Sequence, residues 1–479
     1  MVFGMTRILG AATALALSAT LAATPEVQAQ GFEIETGIER IASPNTRIEG
    51  LHRLYVGRRI TPYFSIGQGI YSSALGDAGG AFFWGFEGVA HLSLSERLSL
   101  GLSGFIGGGG GAAQVVGNGT MLRAGLSLDY RLSPAWDLQF TASWIRIHGA
   151  PIDGPAFGLG MRYRLDERHG GDLGGPEFDA VAVVATRYQP ASGVRRRSGG
   201  AQPALSLVGA RAYFDISDRT QLSFGAAGAA QGAQGYMQIM AGARRRFEMG
   251  RMSFFLEGRA GYGGGGDVDT GAGLLLEASA GVSIAMTRRF DLALSLGAIA
   301  AADGDFRAAS ISLGFVRAFN RARTGDTDGQ RWALSTGLSF QQTAPSFFIA
   351  PGNPNSVVSM QETSLDYFIG ERLYVTGNAQ TTVAGGVAGY ALGLVGLGYE
   401  IPVTDRLTLS LEGHLGAAGG GGVNTNGGIV AGLRAEIDYR VGEAWRVSVG
   451  VGRLQSVRSG GMSPTTLTVG AKIPFTTHR

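Results

Sequence analysis

The sequence predicts an all-β protein, an antiparallel transmembrane β-barrel built from three tandem repeats of about eight strands, about 24 strands in all. Three observations predict it. Runs of glycine at 107–111, 263–266 and 419–422 begin 156 residues apart each time. Apolar residues alternate strictly with small or polar ones, the period of a strand whose two faces meet different surroundings. Tight polar turns alternate with longer loops rich in Gly, Ala, Asn and Pro, as they do when one end of a barrel faces the periplasm and the other faces outward.

The first 29 residues read as a secretory signal. Arg7 supplies the basic segment, residues 8–23 the apolar one, and Val27, Gln28 and Ala29 a small-x-small cleavage site, so Gln30 becomes the new N-terminus. The exported chain has no cysteine, so disulfides do not hold it together. Charged residues are only 16% and hydrophobic residues 44%, yet no stretch after the signal reaches the roughly 20 apolar residues of a membrane helix. That combination suits strands that present alternate residues to lipid. A net charge of +3 is too small to point to a nucleic-acid partner.

The repeats divide the chain at 30–165, 166–319 and 320–479. Tyr163, Phe319 and Phe475 each close a strand-like segment, and Trp136, Phe290 and Trp445 each open one. In the first repeat Leu122, Ala124, Leu126, Leu128 and Tyr130 oppose Arg123, Gly125, Ser127, Asp129 and Arg131. The second repeat predicts strands over 178–189, 203–216, 219–231, 236–248, 251–262, 272–286, 289–301 and 306–319. In the third, Leu467, Val469, Ala471, Ile473 and Phe475 oppose Thr468, Gly470, Lys472 and Pro474. Short turns fall at Ser95-Glu96-Arg97, Ser133-Pro134, Thr287-Arg288, Val403-Thr404-Asp405 and Gly442-Glu443. Trp136, Trp144, Tyr163, Trp445 and Phe475 sit near strand ends, where an aromatic girdle meets the headgroups.

On these features residues 32–475 resemble the Gram-negative outer-membrane β-barrel class, in architecture and without a specific family motif. The resemblance implies residence in the cell outer membrane, contact with its lipid, and insertion by the barrel-assembly machinery. The last strand, 465–475, looks like that machinery's terminal signal, although four residues follow Phe475.

Inward residues that are mostly Gly, Ser, Thr and Ala favour one large barrel, with three eight-stranded barrels in tandem as the alternative. The expected lumen lining is Arg123, Asp129, Arg131, Glu257, Arg259, Glu412, His414, Arg434, Glu436 and Asp438. Glu87, His91 and Ser93 share one strand face and could supply a base and a nucleophile, as in lipid-hydrolysing barrels. The other repeats do not reproduce the set, so it reads as a polar row and no enzyme is expected. The acidic pairs Asp267/Asp269, Asp303/Asp305 and Asp326/Asp328 lack a full calcium-loop spacing, and no His/Cys cluster has zinc spacing, so neither metal nor cofactor is expected. The glycine runs lack the Lys and Ser/Thr of a phosphate loop. The basic runs at Arg195, Arg196 and Arg197 and at Arg244, Arg245 and Arg246 read as solvated loops or lipid-phosphate contacts. The leading functional expectation is a porin-like channel for passive passage of solutes. The alternative is a structural or assembly protein that docks another envelope component.

Overall fold

The computed structural model describes residues 32–42, 46–165, 177–318, 330–350, 356–441 and 445–477. The expected signal, Phe319, Asp326, Asp328, the Gly442-Glu443 turn and most of both inter-repeat connections lie outside them. Each repeat closes on itself, giving three eight-stranded antiparallel barrels. The first comprises β1 (Phe32–Ile41), β2 (Ile48–Thr61), β3 (Phe64–Gly76), β4 (Phe82–Ser93), β5 (Leu98–Gly110), β6 (Thr120–Arg131), β7 (Trp136–Ile147) and β8 (Ile152–Leu165). The second comprises β9 (Glu177–Pro190), β10 (Leu205–Ser217), β11 (Thr220–Gln231), β12 (Met237–Met249), β13 (Met252–Gly264), β14 (Leu274–Ala285), β15 (Phe290–Ala301) and β16 (Arg307–Ala318). The third comprises β17 (Gln330–Gln342), β18 (Val357–Phe368), β19 (Leu373–Ala384), β20 (Ala391–Pro402), β21 (Leu407–Gly419), β22 (Ile429–Arg440), β23 (Arg446–Ser456) and β24 (Thr465–Thr477). The strand bounds expected for the second repeat fall within two residues of these.

Closure pairs β1 with β8, β9 with β16 and β17 with β24, with Gly37 opposite Gly160 and Gly337 opposite Gly470. The polarity is inside out. Leu126, Phe140, Leu294 and Leu433 are exposed on the outer faces, while Glu87, Arg123, Glu257 and Arg434 are buried within. Apolar exteriors around polar interiors are what lipid selects in a closed barrel. No helix among the described residues is long and apolar enough to cross a membrane.

The single wide ring favoured from the sequence is therefore corrected to three small barrels. The inward glycines do not line a wide lumen; several make room for a large side chain on a neighbouring strand. A Cβ on Gly69 would overlap the Glu87 carboxylate, one on Gly281 the Phe255 ring, and one on Gly398 the Tyr374 ring. Small and large residues sum to the volume that eight strands enclose.

The three barrels also pack against one another, cyclically. The third strand of each repeat meets the fifth strand of the next: β3 against β13, β11 against β21, and β19 against β5. The glycine runs lie at these meetings. Gly79 N–H donates to Gly271 O at 2.7 Å, and Gly389 N–H donates to Gly109 O at 2.9 Å. The Gln234 amide donates to Val423 O at 3.2 Å and to Thr425 Oγ1 at 2.7 Å. A Cβ on Gly110 would lie 2.7 Å from the Gly389 nitrogen, and one on Gly419 would lie 2.7 Å from the Gly235 nitrogen. Gly389 also has φ +83°, where only glycine sits without strain. The interface of the first and third barrels, which no connection in sequence joins, carries the most hydrogen bonds among the described residues. Thr120 Oγ1 donates to Val383 O at 2.7 Å, the Gly385 and Gly386 amides donate to Asn118 Oδ1, and Gln361 Nε2 donates to Gln68 Oε1 at 2.8 Å.

Gly110→Val forces these backbones apart. It is expected to destabilise the first–third junction by about 1–3 kcal/mol while leaving each barrel closed. Urea unfolding in detergent should show the loss, and limited proteolysis should cut the 111–119 loop faster than in the wild type.

Candidate functional site: the barrel interiors and the threefold junction

Each interior has two layers. Toward the loop end lies an apolar plug. In the first barrel it contains Tyr71, Phe83, Phe105, Met121 and Ile145. In the second it contains Tyr188, Leu205, Tyr236, Met240 and Phe306. In the third it contains Phe347, Met360, Tyr390, Val430 and Met462. Loop residues complete these plugs, since Phe347 belongs to a short 3-10 turn, Pro345–Phe347, between β17 and β18. Toward the turn end the alternation brings charged residues inward, and there they pair.

In the first barrel Arg53 donates to Glu35 Oε2 at 2.6 Å and Glu87 Oε1 at 2.9 Å. Arg123 holds both oxygens of Glu39 and donates to Ser103 at 2.7 Å. Arg162 donates to Asp137 Oδ2 at 2.6 Å and lies 3.2 Å from Asp129 Oδ2. His91 points into the same network: its Nδ1 accepts from Arg162 at 2.5 Å and its Nε2 lies 3.3 Å from Glu33 Oε1. In the second barrel Glu257 accepts from Arg211 at 3.1 Å, Arg244 at 2.8 Å and Ser223 at 2.7 Å, and Arg259 pairs with Glu277. In the third Arg434 bridges Glu412 at 2.6 Å and Glu362, while Lys472 Nζ lies 2.8 Å from Glu436 and 3.2 Å from Asp438. Removing these charges from water is costly, and only this mutual pairing offsets it.

Of the residues expected to line the lumen, Arg123, Asp129, Glu257, Arg259, Glu412, His414, Arg434, Glu436 and Asp438 are buried inside their barrels, whereas Arg131 stands exposed at the turn rim. They face ion partners rather than a water-filled channel. Trp136, Trp144 and Phe475 are exposed on the outer faces, and the Trp136 and Tyr163 rings lie 4.6 Å apart. The second basic run is not a loop: Arg244 and Arg246 of β12 point inward to Glu257 and Asp179, and Arg245 points outward. The first run is a loop, and its Arg197 bridges barrels through Asp77 at 2.9 Å and Gly271 O at 2.8 Å. Asp267, Asp269 and Asp303 are spent on loop amides, Ser198 and Arg197.

Sequence reasoning missed Glu33, Glu35, Glu39, Arg53 and Arg162. The alternation of Glu33, Glu35, Gly37 and Glu39 against Ile34, Thr36 and Ile38 was the available signal. Glu33, Glu35 and His91 bring ligand-type atoms within 4.8 Å of one another, but the Arg162 guanidinium already occupies the cationic position beside them. At the loop end, where the three barrels meet, the glycine loops of all three repeats line a cavity of about 390 Å³. Phe82, Met237 and Ala391, equivalent first residues or neighbours of the fourth strands, line it together with Gly110, Gly265 and Gly420.

By fold and polarity these are β-barrels of the outer-membrane class. No protein-family model matches the sequence, and no curated protein does. Among solved structures, OccK11 (OpdR) of Pseudomonas aeruginosa matches at 12% identity over 93% of this chain and 96% of its own, with TM-score 0.24. The FrpB iron transporter of Neisseria meningitidis matches at 10% identity over 94% of this chain and 82% of its own, with TM-score 0.31. A de novo designed transmembrane β-barrel matches at 12% identity over 32% of this chain and 100% of its own, with TM-score 0.22. Scores of this size establish no shared arrangement of the whole chain.

Truncating Glu257 leaves Arg211 and Arg244 buried without a counter-charge. Glu257→Ala is expected to destabilise the second barrel by about 3–5 kcal/mol, measured by urea unfolding. Replacing the set with apolar residues of matching volume, Glu257→Met with Arg211→Met and Arg244→Leu, should cost much less.

Proposed function

We propose that this chain is a structural protein of the cell outer membrane, a ring of three sealed barrels that presents a glycine-lined outer face and an arginine-bearing inner rim to other envelope components. The observation that carries the reading is the double seal of each barrel: an apolar plug at the loop end and a paired ionic network toward the turn end. Exported strands with apolar outer faces support the membrane location, with lipid as the constant partner and the barrel-assembly machinery as the route of insertion. Passive passage of solutes, the porin-like reading, needs an open path along at least one barrel axis, and the filled interiors support it less well. The proposal includes no catalysis. His91 turns inward to Glu33 and Arg162, while Ser93 lies exposed at the end of β4, and among the described residues no hydrogen bond joins its hydroxyl to His91.

Planar-bilayer recording of the purified full chain tests this. The expected result is an electrically silent membrane at protein levels where inserted barrels are detected by heat-modifiable migration on gels. Steady, large unitary steps would restore the porin-like reading.

A further inference from the structure

The short turns at one end of the barrels carry a set of arginines that the interior networks do not use. Arg97, Arg219, Arg251, Arg288, Arg372 and Arg406 each lie in a different short turn, distributed over all three barrels, and all are exposed. Among the described residues none of the six side chains makes a hydrogen bond or ion pair. Acidic neighbours stand beside four of them, Glu96, Asp218, Glu371 and Asp405, and do not pair with them.

Three of the turns, those of Arg97, Arg288 and Arg406, are built in a repeated way. Ser95 Oγ accepts from Leu98 N at 3.1 Å, Thr287 Oγ1 from Phe290 N at 3.0 Å, and Thr404 Oγ1 from Leu407 N at 3.0 Å. A side chain thus fixes the backbone of these three turns, and the arginine inside each is exposed at the rim. The opposite end is different. There Arg47 pairs with Asp77, Arg197 binds Asp77 and Gly271 O, and Arg146 lies 3.5 Å from Asp153. These three loop-end arginines are spent on loop-end aspartates; the six turn arginines are not.

A guanidinium has five donors in a planar fork that fits phosphate bidentately, and it is charged at every relevant pH. Directly beyond this rim, toward the loops, the outer face is apolar, with Leu92, Leu100, Phe254, Leu292 and Leu373 exposed. That places the free guanidinia at the level where acyl chains give way to headgroups.

We infer that the turn-end rim binds anionic phospholipid headgroups of the adjoining leaflet, each turn arginine engaging a lipid phosphate. This rests on the membrane reading proposed above. Every turn arginine contributes separately, so removing them one by one weakens binding stepwise, by about fivefold per arginine at low salt, and added salt weakens it further.

The test uses the full chain in nanodiscs of equal phosphatidylglycerol and phosphatidylcholine, with lipids retained after partial stripping identified by native mass spectrometry. Co-flotation with vesicles and heat-modifiable gel migration are measured first. The wild type is expected to float and to retain phosphatidylglycerol about fivefold or more over phosphatidylcholine. A variant carrying Arg→Gln at the six turn positions should still float as a closed barrel but lose the enrichment, while Arg40→Gln with Arg307→Gln, exposed arginines at the loop end, should keep it. A chain that does not float overturns the membrane reading and this inference with it. A chain that floats without phosphatidylglycerol enrichment, or a six-site variant that keeps it, overturns this inference alone.

Discussion

The close approach of bare backbones at the glycine loops is the contact on which the rest of the assembly depends. Main chain meets main chain where Gly389 lies against Gly109 and Gly110, where Gly79 and Gly80 lie against Gly264 and Gly271, and where Gly235 lies against Gly419 and Gly420. A side chain at these points would hold two barrels apart. Because each contact joins unlike surfaces of neighbouring repeats, head to tail, three copies close into a ring and the pattern ends there. The first and third barrels, with no connection between them, add side-chain hydrogen bonds through Gln68, Gln361, Asn118 and Thr120. Closure is strongest where the chain itself does not enforce it.

Inside each barrel a different constraint rules. Eight strands enclose a narrow space, so whatever points inward must fill it and must be paired. Glycine beside arginine, glutamate beside tyrosine, and serine beneath a carboxylate are solutions to one volume and one charge problem at once. The rim is freed from that demand, which is why the six turn arginines there stand unpaired while deeper ones such as Arg162 and Arg434 are bound on several sides.

Much of this was legible in the sequence, and what was not has a specific cause. Strand positions followed from alternation, because lipid outside and neighbours inside impose a two-residue period with little noise. The second repeat's strands from β9 to β16 show this, with bounds near those expected. The number of rings was not legible. Strand β3 has Gly69 facing inward, and read alone it suggests an empty wall; opposite it in space are Glu87 and Phe105, contributed by β4 and β5. Complementary volumes appear only once strands are placed around a circle. The glycine runs marked the repeat correctly yet revealed nothing of their partners, since backbone-to-backbone docking leaves no residue type to match. Lys472 was visible as an inward residue of β24, but its seat between Glu436 and Asp438 depends on β22 being two strands away around the ring.

The central claim is that one chain forms three small closed barrels clasped around a common axis. Electron cryo-microscopy of the full chain in a nanodisc, viewed along the membrane normal, measures this directly. The account predicts three touching small rings at the corners of a triangle. A single wide ring, or three rings separated or in a row, would contradict it.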